Sequence, residues 1–137
     1  MLVLDASMAL SWLFERDAPA ERARALAALE SLEQGGAIVP AIWLAEVLHA
    51  LLVGERRKLV RPAQSASYLM TLGRLPIVFD SALPNTRTDS VMAVGRQHDL
   101  TAYDSIYLEL AVRAGGPLAS FDRHLSKAAR STGIDVV

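Results

Sequence analysis

Five short apolar runs constrain this chain most: Leu2-Val3-Leu4, Ala37-Ile38-Val39, Ile77-Val78-Phe79, Leu118-Ala119-Ser120 and residues 134–137. Each is too short for a buried helix, and helical stretches separate them. A strand covered on both faces reads as a continuous apolar run, and such strands sit in parallel sheets. The intervening helices are expected at residues 7–14, 19–34, 42–53, 62–72, 85–97, 104–114 and 123–131. Strand and helix alternate, so the expected architecture is a three-layer α/β/α sandwich. Its sheet is short and mainly parallel, with four to five strands. The helix at 19–34 has Pro19 at its start and Gly35-Gly36 at its end, with Ala23, Leu26, Leu29 and Leu32 along one side. Gly54-Glu55-Arg56-Arg57-Lys58 is expected as a basic turn.

With 137 residues and 52% hydrophobic content, the chain is expected to be one domain spanning residues 1–137 with a sizeable core. The longest apolar run, Ala37 to Ala45, contains Pro40 and falls far short of the roughly 20 residues that span a bilayer. The start of the sequence lacks a basic head and apolar stretch, with an acid already at Asp5. These features point to a soluble, cytoplasmic protein with no membrane partner. The chain contains no cysteine, which excludes disulfides, thiolate metal sites and Cys nucleophiles. A formal net charge of -1 argues against a protein that merely coats nucleic acid. It does not argue against a nuclease, whose carboxylate site contributes negative charge. Twelve of the 14 basic residues are Arg, which fits GC-rich codon usage or phosphate contact.

Ligands of open parallel sheets bind beyond the carboxyl ends of the strands, so acids there are candidates. Asp5, Asp80 and Asp122 each follow a strand, and each also fits a helix N-cap. The helix at 42–53 carries only two polar side chains, Glu46 and His49, which share a face. Both faces are expected to be buried, and a buried carboxylate needs a cation or a salt bridge. Asp104 opens another apolar helix as a candidate or as an N-cap. Glu109, five positions on, is expected to be exposed or paired. His98 and His124 read as surface residues. Converging carboxylates without cysteine suit a hard cation, Mg²⁺ or Mn²⁺, and such ions suit phosphoryl chemistry. No nucleophile elbow, Gly-rich phosphate loop or dinucleotide fingerprint is present.

The fragments Leu4-Asp5-Ala6-Ser7, Val39-Pro40 through Trp43 to Glu46-Val47, Leu100-Thr101-Ala102-Tyr103-Asp104-Ser105 and Pro117-Leu118-Ala119-Ser120-Phe121-Asp122 occur in this order. Together with Ala128-Ala129 and Gly133-Ile134, they make the chain resemble a PIN-domain ribonuclease, specifically a VapC-like toxin of a type II toxin–antitoxin system. The resemblance implies that Asp5, Glu46, Asp104 and Asp122 gather as catalytic acids at one end of the sheet. Asp5 and Asp104 would be direct metal ligands, and Asp122 would bind directly or through water. Glu46 would ligate or orient the attacking water. Ser7 and Ser120 would hydrogen-bond behind them. Asp80 matches no family motif and is assigned to capping.

Two positions depart from the family pattern. Ser120 stands where Thr is frequent and keeps the hydroxyl. His49 stands where Asn is common, one turn after Glu46. From there it can contact phosphate, hydrogen-bond Glu46, or simply pack. The implied function is a metal-dependent endoribonuclease toxin using Mg²⁺ or Mn²⁺, neutralised by a cognate antitoxin and homodimeric. It would contact operator DNA only through that antitoxin. Arg56-Arg57-Lys58 and Arg123, Lys127 and Arg130 are candidates to hold the RNA backbone. The competing reading is an antitoxin-binding regulatory subunit with little nuclease activity. An aspartyl phosphatase is disfavoured because Ser7 occupies the position of its second Asp.

Overall fold

The computed structural model describes residues 1–82 and 84–137. Strand β1 (Leu2–Leu4) leads into α1 (Ala6–Leu10) and α2 (Pro19–Gly35). Then follow β2 (Ala37–Val39), α3 (Ile42–Arg56), α4 (Pro62–Leu72) and β3 (Ile77–Phe79). A 3-10 turn at Pro84–Thr86 precedes α5 (Thr88–His98), α6 (Ala102–Ala114), β4 (Leu118–Ala119) and α7 (Arg123–Ser131). Among the described residues the sheet has four strands in the order β3-β2-β1-β4. All of its pairings are parallel, as the continuous apolar runs predict. No described helix is long and apolar enough to cross a membrane.

Burial follows the strand order. The central β1 is buried along its whole length, as are Ala37 and Val39 of β2 and both residues of β4. Each buried Leu or Val contributes roughly 1.5–3 kcal/mol relative to exposure. The edge strand β3 leaves Val78 and Phe79 about half exposed, although its sequence is as apolar as that of its neighbours. The chain builds β1, β2 and β3 outward in one direction and then returns to place β4 on the other side of β1. The strand order therefore reverses between β1 and β4, the kind of crevice in which open α/β sheets bind ligands.

Several boundaries differ from expectation for local reasons. Helix α1 stops at Leu10, and residues 11–14 continue as turns in which Phe14 N donates to Leu10 O. Helix α2 packs through Ala25, Ala28 and Leu32, while Leu26 points outward. The small Ala25 lets Trp12 Nε1 donate to its carbonyl at 2.9 Å. Helix α3 continues through Gly54 to Arg56, so the expected basic turn shrinks to Arg57 and Lys58, the latter at φ 58°. Gly54 makes room there for close packing, because a Cβ would lie 2.9 Å from the Phe14 ring and 3.1 Å from Val60. Helix α5 starts at Thr88 instead of residue 85, because Arg87 at φ -116° and ψ 3° interrupts the helical run. Helix α6 starts at Ala102, since Thr101 caps it by accepting from Asp104 N. The fifth expected strand is reduced to one parallel bridge between Leu118 and Val136.

The expectation that α3 is buried on both faces is not met. Trp43, Val47, Leu51 and Gly54 form its packed side, while Leu44, Leu48 and Leu52 face outward at 39–50% exposure. Apolar composition without polar punctuation does not reveal that an outer face lacks a cover inside the chain.

Candidate active site

Asp5 stands at the carboxyl end of β1, its amide bonded to Ala119 O of neighbouring β4. It occupies the N-cap position of α1 but makes no side-chain cap bond to that helix. Instead the carboxylate is buried and receives two hydroxyls on Oδ2, from Ser7 at 2.5 Å and Ser120 at 2.6 Å. The two hydroxyls lie 3.4 Å apart. Each hydroxyl also accepts a backbone amide, Phe121 N on Ser7 Oγ and Asp122 N on Ser120 Oγ. These bonds tie the loop after β4 to the start of α1. A cap needs no such burial, so capping does not explain Asp5.

Asp122 does cap a helix, because its Oδ1 accepts Leu125 N of α7 at 2.7 Å. Asp104 sits in the first turn of α6, half-buried, and is not itself the cap. Glu46 lies in the second turn of α3, half-buried, and its Oε1 accepts the hydroxyl of Tyr107 at 2.9 Å. The four acids share one field. Burial raises the Asp5 pKa, against the hydroxyl bonds, and the charge of Asp122 raises it further. Burial raises that of Glu46, with added repulsion from Asp5 and Asp104. Burial likewise raises that of Asp104, with repulsion from Asp122 and Asp5. Charges interacting this way, at the reversal of strand order, mark a site that holds more negative charge than it neutralises.

No three of the described His, Asp and Glu side chains surround one point closely enough to form a ready coordination shell. The donor chemistry still fits a small hard dication. Mg²⁺ keeps several waters and is commonly bound through only one or two carboxylates.

His49 does not join this group. It is exposed and no hydrogen bond links it to Glu46, so of its three alternatives the bond to Glu46 is not made. Asp80 is not a helix cap. Its Oδ1 accepts Ala82 N at 3.2 Å, and Arg113 Nη2 meets its Oδ2 at 2.6 Å. Glu109 is paired, as expected, but it is buried, with Arg113 at 3.0 Å and Arg87 at 3.9 Å. His124 is exposed, whereas His98 is half-buried and its Nε2 is buried without a hydrogen-bond partner. The basic candidates Arg56, Arg57, Lys58, Arg123, Lys127 and Arg130 are all exposed.

Sequence reasoning missed two side chains. Tyr107 is buried beside Glu46, and burial together with the charges of Asp5 and Glu46 pushes its hydroxyl pKa far up, so it remains a donor. Its signal was available, since Tyr107 is one turn after Asp104 on the same helical face. Arg24 donates to Ser120 O at 2.9 Å and Val137 O at 2.8 Å, with its guanidinium 4.9 Å from the Phe121 ring centre. It supports the loop carrying Ser120 and Asp122 from 96 residues away, a separation no local pattern reveals. Tyr107→Phe removes the donor to Glu46 and keeps the ring, so the melting midpoint should change little, which thermal denaturation would check.

The sequence profile of the PIN domain family matches residues 2–131. No significant match to a functionally curated protein is found. Among solved structures, PAE2754 from Pyrobaculum aerophilum is similar with a TM-score of 0.67 at 23% identity, covering 99% of this chain and 83% of that one. FitAcB from Neisseria gonorrhoeae is similar with a TM-score of 0.64 at 19% identity, covering 99% of this chain and 96% of that one. At these identities the two likenesses show a shared fold.

Proposed function

The chain belongs to the PIN domain family, whose members are generally nucleases, and from that premise we propose that it is a Mg²⁺- or Mn²⁺-dependent endoribonuclease acting in the cytoplasm as the toxin of a toxin–antitoxin pair. The observation that carries the reading is Asp5. It is buried, held by Ser7 and Ser120, and lies in the field of Glu46, Asp104 and Asp122 at the reversal of strand order.

In this reading Asp5 and Asp104 hold the metal, and Asp122 holds it directly or through water while its Oδ1 caps α7. When bound, a divalent cation there polarises the phosphate, favours hydroxide over water and stabilises the leaving oxygen. Glu46, fixed by Tyr107, orients the water that attacks phosphorus in line. Ser7 and Ser120 keep the Asp5 carboxylate in one rotamer. The water oxygen bonds to phosphorus, the bond to the 3′-oxygen breaks, and the proton released by water ends on that leaving oxygen. The products carry 5′-phosphate and 3′-hydroxyl ends, and the ribose 2′-hydroxyl takes no part. In this reading the exposed Arg123, Lys127 and Arg130 of α7 would hold the RNA backbone.

A cognate antitoxin is the proposed neutralising partner, and operator DNA is reached only through it. The outward stripe Leu44, Leu48 and Leu52 supports a homodimer, because contiguous exposed apolar side chains mark interaction surfaces. Sedimentation at micromolar concentration is expected to give a dimer and to give a monomer for Leu48→Glu. A monomeric wild type would refute the dimer. The nuclease itself is tested by incubating total RNA with the protein and Mg²⁺ or Mn²⁺. Cleavage should stop on chelation and return on adding metal back. A protein that binds an antitoxin encoded beside it yet never cleaves RNA would instead be the regulatory subunit.

A further inference from the structure

We propose that a small cavity between the end of α5 and α7 is a subsite for one phosphate group of the RNA strand, the one next to the phosphate that is cut; this rests on the ribonuclease reading above. The cavity has a volume of about 200 Å³ and is lined by His98, His124, Lys127, Ala128 and Ser131. Sites for drug-sized molecules commonly occupy roughly 300–1,000 Å³, so this one suits a single small group. His124, Lys127, Ala128 and Ser131 recur at helical spacing and form one wall on α7. His98, the last residue of α5, forms the other. The cavity adjoins the acids without sharing a residue with them. His124 follows Asp122 by two positions, and its charge acts on Asp104 against the upward shift there.

Charge and hydrogen-bonding capacity decide what the cavity takes. Its described lining holds a lysine and two histidines and no carboxylate, the reverse of the cluster beside it. Lys127 is exposed and, among the described residues, no ion pair holds it. Its ammonium is free to turn to an anion, and lysine binds phosphate as a point charge. His98 Nε2 is buried without a hydrogen-bond partner. An orphaned polar atom of this kind is costly. In its Nε2–H tautomer, a small turn of the ring would present that donor to an oxygen in the cavity. The carbonyl of His98, which would oppose an anion at the end of α5, is met by His124 Nε2 at 3.3 Å. Ser131 Oγ already donates to Lys127 O at 3.0 Å, so the partners left for the anion are Lys127 and His98. A strand whose scissile phosphate lies over the acids carries another phosphate on each side of it. Holding one of them here fixes the register of the strand over the acids.

The test uses a short fluorescein-labelled RNA whose cut by the wild type has been mapped. Two further copies carry an uncharged methylphosphonate at the linkage on one or the other side of the cut. In wild type, one of the two is expected to raise KM about tenfold, the order of a lost hydrogen bond to a charged group, with kcat within about twofold. Lys127→Met should raise KM for the natural RNA by about the same factor and add nothing on that methylphosphonate RNA, because both changes remove one contact. His98→Ala should show the same lack of addition. Lys127 is exposed, so Lys127→Met should keep its fold, which the melting midpoint checks. Two methylphosphonates without effect in wild type would overturn the proposal. So would losses that multiply between either variant and both methylphosphonates, since the side chain would then act elsewhere. Inorganic phosphate that competes with RNA in wild type and not in Lys127→Met, with both methylphosphonates inert, would show that the cavity takes a free anion and would also overturn it. A wild type that cleaves no RNA removes the ribonuclease reading together with this one. A wild type that cleaves the natural and both methylphosphonate RNAs alike removes the phosphate subsite alone.

Discussion

Asp5→Asn is expected to abolish cleavage and at the same time to stabilise the metal-free protein. The amide keeps the shape and can still accept the Ser7 and Ser120 hydroxyls through its oxygen, but it no longer supplies an anionic ligand. The loss should be roughly 1,000-fold or more, the upper end for deleting one electrostatic group from a catalytic site. The stabilisation follows from linkage. Burial raises the Asp5 pKa in the folded protein, so the folded state binds the proton more tightly than the unfolded chain does. That contribution is fully present below the ordinary aspartate value of about 3.9 and is lost as pH rises through the raised folded value. Glu46 and Asp104 are raised as well and act with the same sign. Asp80 and Glu21 are lowered by Arg113 and Arg16, and their contribution is lost in the opposite direction, as pH falls. The site's own effect is therefore read as the difference between Asp5→Asn and wild type. At neutral pH in chelator the mutant should melt at a higher temperature than wild type. The gain should shrink toward pH 4, near the ordinary carboxylate values. Calorimetry across that range checks it, and a mutant less stable than wild type at neutral pH would contradict it.

The second large effect lies away from the acids, at Arg113. Its guanidinium meets Asp80 at 2.6 Å and Glu109 at 3.0 Å, and among the described residues Arg87, at 3.9 Å, is the one other cation beside Glu109. These two carboxylates hold the Arg113 pKa well above its ordinary value, and Arg113 holds that of Asp80 below the usual range. Arg113→Ala leaves the buried Glu109 with one distant cation. Breaking a buried pair from one side typically costs 3–5 kcal/mol. Arg113 is one-quarter exposed and Arg87 remains, so the expected cost is about 2–3 kcal/mol. That lowers the midpoint by roughly 6–12 °C. Arg113→Ala with Glu109→Gln and Asp80→Asn should recover most of it, because the orphaned charges leave with their partner. Denaturant titration of the single and triple variants measures both, and an unchanged single variant would refute the account of this network.

The sheet was legible because its pattern is physical and local. Leu2-Val3-Leu4 and Ala37-Ile38-Val39 can be buried on two faces only inside a parallel sheet, and Pro19 and Pro62 mark helix starts that the structure keeps. Residues 134–137 look equally strand-like, but only Val136 reaches a ladder, because the cover and register of an edge are settled by distant chain. The same limit explains α3. Leu44, Leu48 and Leu52 have the composition of core residues, and nothing in the sequence says that no element lies over them. Within the site, Asp5 and Asp122 stood out by following strands and Glu46 by lying on an apolar helix, and the ordered motifs joined Asp104 to them. The resemblance placed Ser7 and Ser120 behind the acids, and both hydroxyls bond to Asp5, although Ser120 is 115 residues away. No local pattern revealed the support from Arg24. His49 shares a face with Glu46 without bonding to it, because three-residue spacing brings side chains to one face and no further.

The most direct test of the central claim is anomalous diffraction from crystals grown with Mn²⁺. The account predicts a peak with Asp5 and Asp104 oxygens at about 2.0–2.2 Å and Asp122 within reach directly or through water. The peak should vanish in Asp5→Asn crystals. A Mn²⁺ peak elsewhere, or one at this place that persists in Asp5→Asn, would contradict the assignment of these carboxylates as the metal site.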